Sequence, residues 1–170
     1  MIRMAGMTRD SIVDGPGIRT TFYVQGCPHH CQGCHNPETW DFEGGTDMTP
    51  EELFEVVRSN PLCRGVTFSG GEPFAQAGAL VPLADMLREN GYEIASYTGY
   101  LFEQLLSGTE DQKALLSRID VLIDGPFVLS QKSLELNFRG SRNQRVLNVQ
   151  ESLRQGRACA ETSARWLGEY

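Results

Sequence analysis

The sequence lacks an excess of positive charge, a long apolar run and an even number of cysteines. Its 15 basic residues are outnumbered by 22 acidic ones, giving a net charge of -7, whereas nucleic-acid-binding domains usually carry a basic surface. No apolar run approaches the roughly 18 residues of a membrane span, and the first seven residues lack a signal-peptide apolar core. We therefore expect a cytoplasmic protein that binds neither nucleic acids nor membranes. The 170 residues suffice for one globular domain with a substantial core.

Three of the five cysteines lie close together, without a fourth nearby. Cys27, Cys31 and Cys34 are spaced C-x3-C-x2-C, and we call them the loop cysteines. Iron–sulfur clusters are usually held by four thiolates, and structural zinc is almost always four-coordinate. Three thiolates therefore indicate a metal cluster whose fourth position is filled by something else, and we expect this to be the substrate.

The same spacing allows a second interpretation. Cys-x2-Cys pairs occur in zinc sites and in redox dithiols, and His29, His30 and His35 lie close enough in sequence to supply a nitrogen ligand. Zinc ribbons usually contribute two separated pairs of ligands, which favours the cluster. Of the remaining cysteines, Cys63 is expected to pack as a small hydrophobe, whereas Cys159 could be a reducing surface thiol or merely a site of oxidation.

A glycine pair and an acid follow a short apolar segment. Residues 66–69 are typical of a buried strand, and Gly70, Gly71 and Glu72 come directly after it, followed by Pro73. Glycine lets the backbone approach a ligand closely, and Glu72 could accept a hydrogen bond from a bound ammonium group. The pattern is weak by itself, since turns commonly use glycine.

Predicted strands and helices alternate along the chain, which is typical of a parallel sheet with crossover helices. Strands are predicted over residues 18–24, 66–69, 94–97, 121–123 and 145–149, and helices from residue 50, over 80–90, 100–106 and 112–118. Ligand sites of such sheets lie at the carboxyl ends of the strands. Five strands are too few for a closed eight-stranded barrel, so we expect an α/β fold with an open, partial barrel.

The chain is expected to divide near residue 149. Residues 1–149 would form the domain, and residues 150–170 a tail that is either a short helix or disordered. Trp166, Leu167 and Tyr170 would be unusual in a solvated tail, so we expect them to dock on this domain or on a partner.

The cysteine loop after the first strand and the Gly-Gly-Glu-Pro run after the second together resemble the radical S-adenosylmethionine superfamily, whose fold is the open partial (β/α) barrel. In that superfamily three cysteines bind a 4Fe-4S cluster, and the methionine moiety of S-adenosylmethionine chelates the fourth iron. The resemblance implies this role for the loop cysteines. It also implies that Gly70, Gly71 and Glu72 contact the methionine amino group.

The flanking sequences narrow the resemblance to glycyl-radical-enzyme activases. Residues 13–20 read Val-Asp-Gly-Pro-Gly-Ile-Arg-Thr, and residues 35–40 read His-Asn-Pro-Glu-Thr-Trp. Residues 124–127, Asp-Gly-Pro-Phe, and 138–144, Phe-Arg-Gly-Ser-Arg-Asn-Gln, resemble in particular the activating proteins of anaerobic ribonucleoside-triphosphate reductases. The implied partners are that reductase's glycyl-radical subunit and a flavodoxin-like or similar electron donor.

The resemblance assigns further cofactor contacts. The residue before the last loop cysteine is often aromatic in the superfamily and is Gly33 here, so the adenine contacts are expected to be shared with its backbone and with His35, and Cys34 between them is also expected to contact the cofactor. Thr98 and Asp124 are implied to approach S-adenosylmethionine, although Asp124 is equally typical of a turn-forming Asp-Gly pair.

Pro126 stands where family members often carry a lysine. If that lysine normally meets the methionine carboxylate, Arg19 or Arg139 would have to replace it.

Three other functions remain open at this point. The first is activation of another glycyl-radical enzyme, such as pyruvate formate-lyase. The second is a small-molecule radical reaction like that of 7-carboxy-7-deazaguanine synthase. The third is a zinc module or ferredoxin-like carrier, in which Gly-Gly-Glu-Pro would have no purpose.

Overall fold

One seven-stranded sheet organises the computed structural model, which describes residues 1–168. The strands are β1 (Ile2–Ser11), β2 (Arg19–Val24), β3 (Thr46–Met48), β4 (Gly65–Gly70), β5 (Glu93–Tyr97), β6 (Val121–Asp124) and β7 (Arg145–Asn148). The helices are α1 (Pro50–Arg58), α2 (Ala77–Glu89), α3 (Phe102–Leu106), α4 (Glu110–Leu116), α5 (Val149–Gln155) and α6 (Ala164–Leu167). Short 3-10 helices cover Pro37–Thr39, Pro73–Gln76 and Leu129–Gln131.

The sheet is parallel at its centre and antiparallel at both edges. Its order is β3-β1-β2-β4-β5-β6-β7, in which β2, β4, β5 and β6 are parallel neighbours. Strands β1 and β3 add antiparallel pairs on one side and β7 on the other. The edge strands β3 and β7 do not pair with each other in the described chain, so the sheet is not closed. The prediction of a mixed α/β fold is confirmed.

All five predicted strands are present, but the prediction missed β1 and β3. Strand β1 is half exposed, contains Gly6 and has irregular register with β2 near Met4 and again near Ser11. It therefore shows no clear alternation of apolar and polar residues. Its pairing with β3 joins residues distant in sequence, such as Ile2 and Met48, which a local pattern does not reveal.

The helices cover one face of the parallel strands. Helix α1 begins as predicted, because the Thr49 side chain accepts a hydrogen bond from the Glu52 N–H and Pro50 takes the first helical position. Apolar side chains of α1, α2 and α4 pack against the same face of β4 and β5 in the main core, which includes Leu53, Leu83, Leu115, Val66, Phe68 and Ile94. Cys63 is buried in this core as predicted.

The opposite face carries a smaller core built around the C-terminal segment. Trp166 of α6 is 2% exposed and packs with Val121 and Ile123 of β6. The segment also runs beside β7, where Leu147 and Ala160 form an antiparallel bridge. Trp166 therefore docks on its own domain, whereas Leu167 is 47% exposed and the prediction for Tyr170 lies outside the described residues. No helix within residues 1–168 has the length and apolar character to cross a membrane.

Arg19 lies at the amino end of β2, far along the strand from the cysteine loop that follows Val24. Its guanidinium is fully buried, forms an ion pair with Glu93 at 2.8 Å and lies 5.4 Å from the centre of the Trp166 ring. Added Cβ atoms at Gly15 and Gly65 would lie 2.7 and 2.8 Å from Arg19 atoms, so both glycines make room for this side chain. The suggestion that Arg19 replaces the missing lysine is therefore wrong, because a buried charge held by its own partners is not free for a ligand at the opposite strand ends.

Candidate cofactor-binding site

A cavity of about 710 Å³ lies at the carboxyl ends of the parallel strands. This volume is in the usual range for small-molecule and cofactor sites, and the strand ends are their usual location. The predicted site residues that line it are Cys27, Cys31, Cys34, His35, Gly70, Gly71 and Thr98. Segments after β2, β4 and β5 thus meet at one cavity.

Backbone hydrogen bonds fix the start of the cysteine loop. The Gly26 N–H donates to Thr39 O at 2.6 Å, and the Cys27 N–H donates to Trp40 O at 3.2 Å. The Gln25 side-chain amide donates to two further carbonyls of the returning segment, those of Glu38 and Asp41. The loop therefore leaves β2 in a defined direction, with Cys27 buried and Cys31 and Cys34 partly exposed.

The loop cysteines suit an iron–sulfur cluster chemically. All three are free thiols and line the same cavity, and thiolates are the ligands that hold such clusters. In residues 1–168 no three His, Cys, Asp or Glu side chains converge closely enough to hold a single metal ion. A cluster would not need that convergence, because each cysteine would bind a different iron.

Burial raises the pKa of the Cys27 thiol above its ordinary value, and the negative charges of Glu72 and Cys31 add to this effect. Backbone hydrogen bonds from His29 and His30 oppose it. A coordinating metal deprotonates a thiol outright, so the two backbone donors are well placed to support the thiolate form when a cluster is bound.

Glu72 is fully buried and joins segments from three strand ends. Its carboxylate accepts hydrogen bonds from the Thr98 hydroxyl at 2.9 Å, the Gly99 N–H at 2.7 Å and the Phe74 N–H at 3.0 Å. The imidazole Nε2 of His29 lies 2.6 Å from the same carboxylate. Glu72 therefore connects the cysteine loop after β2 with the segment after β5. Sequence reasoning missed His29 in this role.

Close backbone packing requires the glycine pair. Gly70 has φ of +90°, and an added Cβ would lie 2.5 Å from Val24 N. At Gly71 an added Cβ would lie 2.3 Å from the Gly26 carbonyl oxygen. The Glu72 N–H also donates to Gly26 O at 2.8 Å. The absence of side chains thus allows the segment after β4 to lie directly against the cysteine loop.

Gly33 and His35 both lie beside the Phe127 side chain. Gly33 has φ of +78°, and an added Cβ would lie 2.8 Å from the Leu129 side chain. The His35 ring lies 5.3 Å from the Phe127 ring. Gly33 itself does not line the cavity, whereas His35 and Phe127 do. Adenine contact by this segment stays a prediction.

Asp124 is fully buried at the end of β6 and does not line the cavity. Its carboxylate accepts hydrogen bonds from Arg145 and from the Phe102 N–H, at 2.5 to 2.9 Å. Asp124 thereby ties β7 and the start of α3 to the strand end, and Gly125 has the positive φ of a turn. Its approach to S-adenosylmethionine stays a prediction.

Residues 139–144 form a loop closed by its own side chains. Gln144 Oε1 accepts the N–H groups of Gly140 and Ser141, and its amide donates to Gly125 O. The Asn143 amide donates to Pro126 O at 2.7 Å. Arg139 lines the cavity while donating to Gln144 O at 2.8 Å, so of the two arginines considered for the lysine's role only Arg139 lies at the site.

Two tyrosines of the site are held in the neutral form. Burial raises the pKa of Tyr97, and its hydroxyl donates to Phe138 O at 2.7 Å. Burial also raises the pKa of Tyr100, to which the charges of Glu72 and Cys27 contribute. Tyr97 lines the cavity, whereas Tyr100 packs against the main core.

A match to a protein-family model identifies the class of protein. Residues 13–147 match the model of the family described as "4Fe-4S single cluster domain". The match includes the loop cysteines, the glycine pair and all four parallel strands. The fold and the cysteine loop therefore define an iron–sulfur protein of the single-cluster type.

More specific relatives are also found. The chain is 36% identical to the anaerobic ribonucleoside-triphosphate reductase-activating protein of Vibrio cholerae serotype O1, over 78% of this chain and 89% of that protein. It is 40% identical to the pyruvate formate-lyase-activating enzyme of Clostridium pasteurianum, over 65% of this chain and 50% of that protein. The solved structure of QueE from Escherichia coli aligns with a TM-score of 0.42 and 25% identity, over 58% of this chain and 50% of that chain.

The chain belongs to the family of anaerobic ribonucleoside-triphosphate reductase-activating proteins, within the radical S-adenosylmethionine superfamily. The resemblance indicated by the sequence motifs is thus confirmed.

Proposed function

We propose that this protein is an activating enzyme that reductively cleaves S-adenosylmethionine with a 4Fe-4S cluster and generates the glycyl radical of an anaerobic ribonucleoside-triphosphate reductase. One observation carries the proposal: the loop cysteines and the glycine pair line the same cavity at the ends of the parallel strands. The names of its relatives agree with this activity.

The loop cysteines would hold three irons of the cluster and leave the fourth for S-adenosylmethionine. When bound, the cluster and S-adenosylmethionine supply one-electron chemistry that removes a hydrogen atom from a glycine α carbon. The chain's own part is to bind and orient these groups and to exclude water. Glu72, Gly70 and Gly71 would receive the methionine amino group, and Thr98 would hold Glu72 in position through its hydroxyl.

The remaining predicted contacts fit around this arrangement. We assign Gly33 and His35 to the adenine side, where the Phe127 ring adds an apolar surface, and Cys34 between them would also contact the cofactor. Asp124 would act indirectly, because its carboxylate already holds Arg145 and the start of α3.

An open, partial barrel suits a substrate that is part of another protein. The sheet is not closed, and its helices cover one face of the parallel strands. Residues 1–149 would form the cofactor-binding domain, and residues 150–170 would support it from the other face through Trp166. A glycine-bearing loop of the reductase could enter the cavity at the carboxyl ends of the parallel strands. The electron donor would be a flavodoxin-like or similar protein, and the enzyme would act in the cytoplasm.

The function can be tested anaerobically. The protein is reconstituted with iron and sulfide, reduced with dithionite and mixed with S-adenosylmethionine, while 5′-deoxyadenosine and methionine are assayed and the electron paramagnetic resonance of the cluster is recorded. Cleavage with a perturbed cluster signal supports the proposal. Without a cluster, or with one indifferent to S-adenosylmethionine in a folded sample, the proposal fails.

The partner is tested in a second step. The similarity to a pyruvate formate-lyase-activating enzyme supports a second candidate target, so both glycyl-radical enzymes are added separately to the reduced mixture. A glycyl-radical doublet only with the ribonucleotide reductase supports the main proposal, whereas a doublet only with pyruvate formate-lyase identifies the alternative.

A further inference from the structure

The Glu72 carboxylate has no spare capacity for a ligand. Four donors make five contacts with its two oxygens: His29 Nε2, the Thr98 hydroxyl to both oxygens, and the N–H groups of Gly99 and Phe74. An ionised carboxylate offers about four lone-pair sites. An incoming ammonium group can therefore reach these oxygens only if a present donor leaves.

Only one of the four donors is free to leave. Gly99 and Phe74 donate from the backbone, and Thr98 is almost fully buried. His29 donates from a side chain that is 18% exposed, lies in a loop without regular secondary structure and lines the cavity. Because the carboxylate is an acceptor, the proton of the imidazole must lie on Nε2.

We propose that His29 occupies the position on Glu72 that the ligand's ammonium group takes, so that binding requires the imidazole to turn away. The inference rests on the proposed function, in which S-adenosylmethionine supplies this ammonium group. It differs from a purely supporting role in the sign of its effect: a competing side chain weakens ligand binding, whereas a supporting one strengthens it.

The replacement of the imidazole by the ammonium group also affects the cysteine loop, to which His29 belongs. His29 lies between two loop cysteines, and its ring packs edge-on against Tyr100 with ring centres 4.6 Å apart. When the imidazole leaves Glu72, this contact changes as well. Ligand entry therefore rearranges the same segment whose backbone N–H groups support Cys27.

The affinity of the cluster-loaded, unreduced protein for S-adenosylmethionine tests the proposal, measured by isothermal titration calorimetry with cluster content checked by absorbance. His29→Ala should lower the Kd about three- to tenfold. Molecules in which His29 blocks Glu72 cannot bind the ligand, and removing the imidazole makes all of them competent to bind. His29→Gln keeps a donor of similar reach and should stay near the wild-type Kd. His30→Asn, in the same loop but turned toward Trp40 and tolerant of the positive φ at this position, is the matched control and should also be unchanged.

A double-mutant comparison separates competition from loop support. In a Glu72→Gln background the ammonium loses its charged acceptor, so adding His29→Ala should leave the Kd unchanged. If His29→Ala fails to retain the cluster, Gly99→Ala replaces it, because its Cβ would lie 2.4 Å from the imidazole and displace the ring while every residue of the cysteine loop stays wild type.

Tighter binding by His29→Ala, or by Gly99→Ala in its place, that disappears with Glu72→Gln supports the proposal. Unchanged or weaker binding by that variant, while the wild type binds normally, overturns this proposal alone. A cluster-loaded wild type that does not bind S-adenosylmethionine overturns the proposed function and this inference with it.

Discussion

Replacing Trp166 with alanine should cost a large part of the stability of this fold. The indole is 2% exposed, packs against the Phe138 ring at 5.2 Å between centres, and lies against the buried guanidinium of Arg19. Truncating a buried tryptophan typically costs about 3–5 kcal/mol. The cation–π contact of the indole with Arg19 accounts for about 0.5–2 kcal/mol of this cost. The indole N–H lies 3.4 Å from the Glu93 carboxylate, which is too long for a hydrogen bond that adds much. We expect the free energy of unfolding to fall by about 3–5 kcal/mol.

The assay is urea unfolding of the full chain under anaerobic conditions, followed by circular dichroism at matched cluster content. Leu167→Ala is the control, since the neighbouring side chain is 47% exposed and surface substitutions usually change stability by less than about 0.5 kcal/mol. A loss below about 1 kcal/mol for Trp166→Ala would refute the reasoning, because it would mean that the C-terminal segment does not complete the second core.

Three further outcomes are expected. Replacing any one of the loop cysteines with alanine should abolish S-adenosylmethionine cleavage while circular dichroism stays close to wild type; retained cleavage would contradict the cluster assignment. Gly71→Ala should lower the urea midpoint, because its Cβ would lie 2.3 Å from the Gly26 carbonyl oxygen and such crowding costs about 1–3 kcal/mol, and an unchanged midpoint would argue against the close packing. Burial alone would raise the pKa of Glu93, but Arg19 outweighs it and lowers the pKa, so this pair stabilises the fold above the ordinary carboxyl pKa and its contribution is lost as the pH falls through the lowered value. In Glu93→Gln the free energy of unfolding should therefore fall less steeply as the pH is lowered. The same pH dependence in the variant and the wild type would contradict this.

The parts of the fold that local patterns determine were predictable from the sequence. The Thr49 cap sets the start of α1 through a bond three residues away, and the continuous apolar run of β6 indicates burial on both faces. The common cavity could also be anticipated, because the ends of neighbouring parallel strands meet at one edge. Each of these conclusions depends on residues close together in sequence or on a general rule of topology.

Other features depend on contacts that no local pattern records. The bond between His29 and Glu72 joins residues 43 positions apart. Arg19 lies in a strand segment next to a glycine-rich run, and its burial depends on the space left by Gly15 and Gly65. The sequence predicted that Trp166 would dock on this domain or on a partner, but it could not say where, because the side chain packs against residues far earlier in the chain.

The hydrogen bonds of Glu72 also have a consequence for local opening of the structure. One carboxylate holds the amides of Gly99 and Phe74, which belong to segments after different strands. Any opening that displaces the Glu72 carboxylate removes the acceptor of both amides at once and exposes them to exchange with solvent deuterium. The two amides should therefore exchange together as one cooperative unit, and the rim of the cavity would open as a whole.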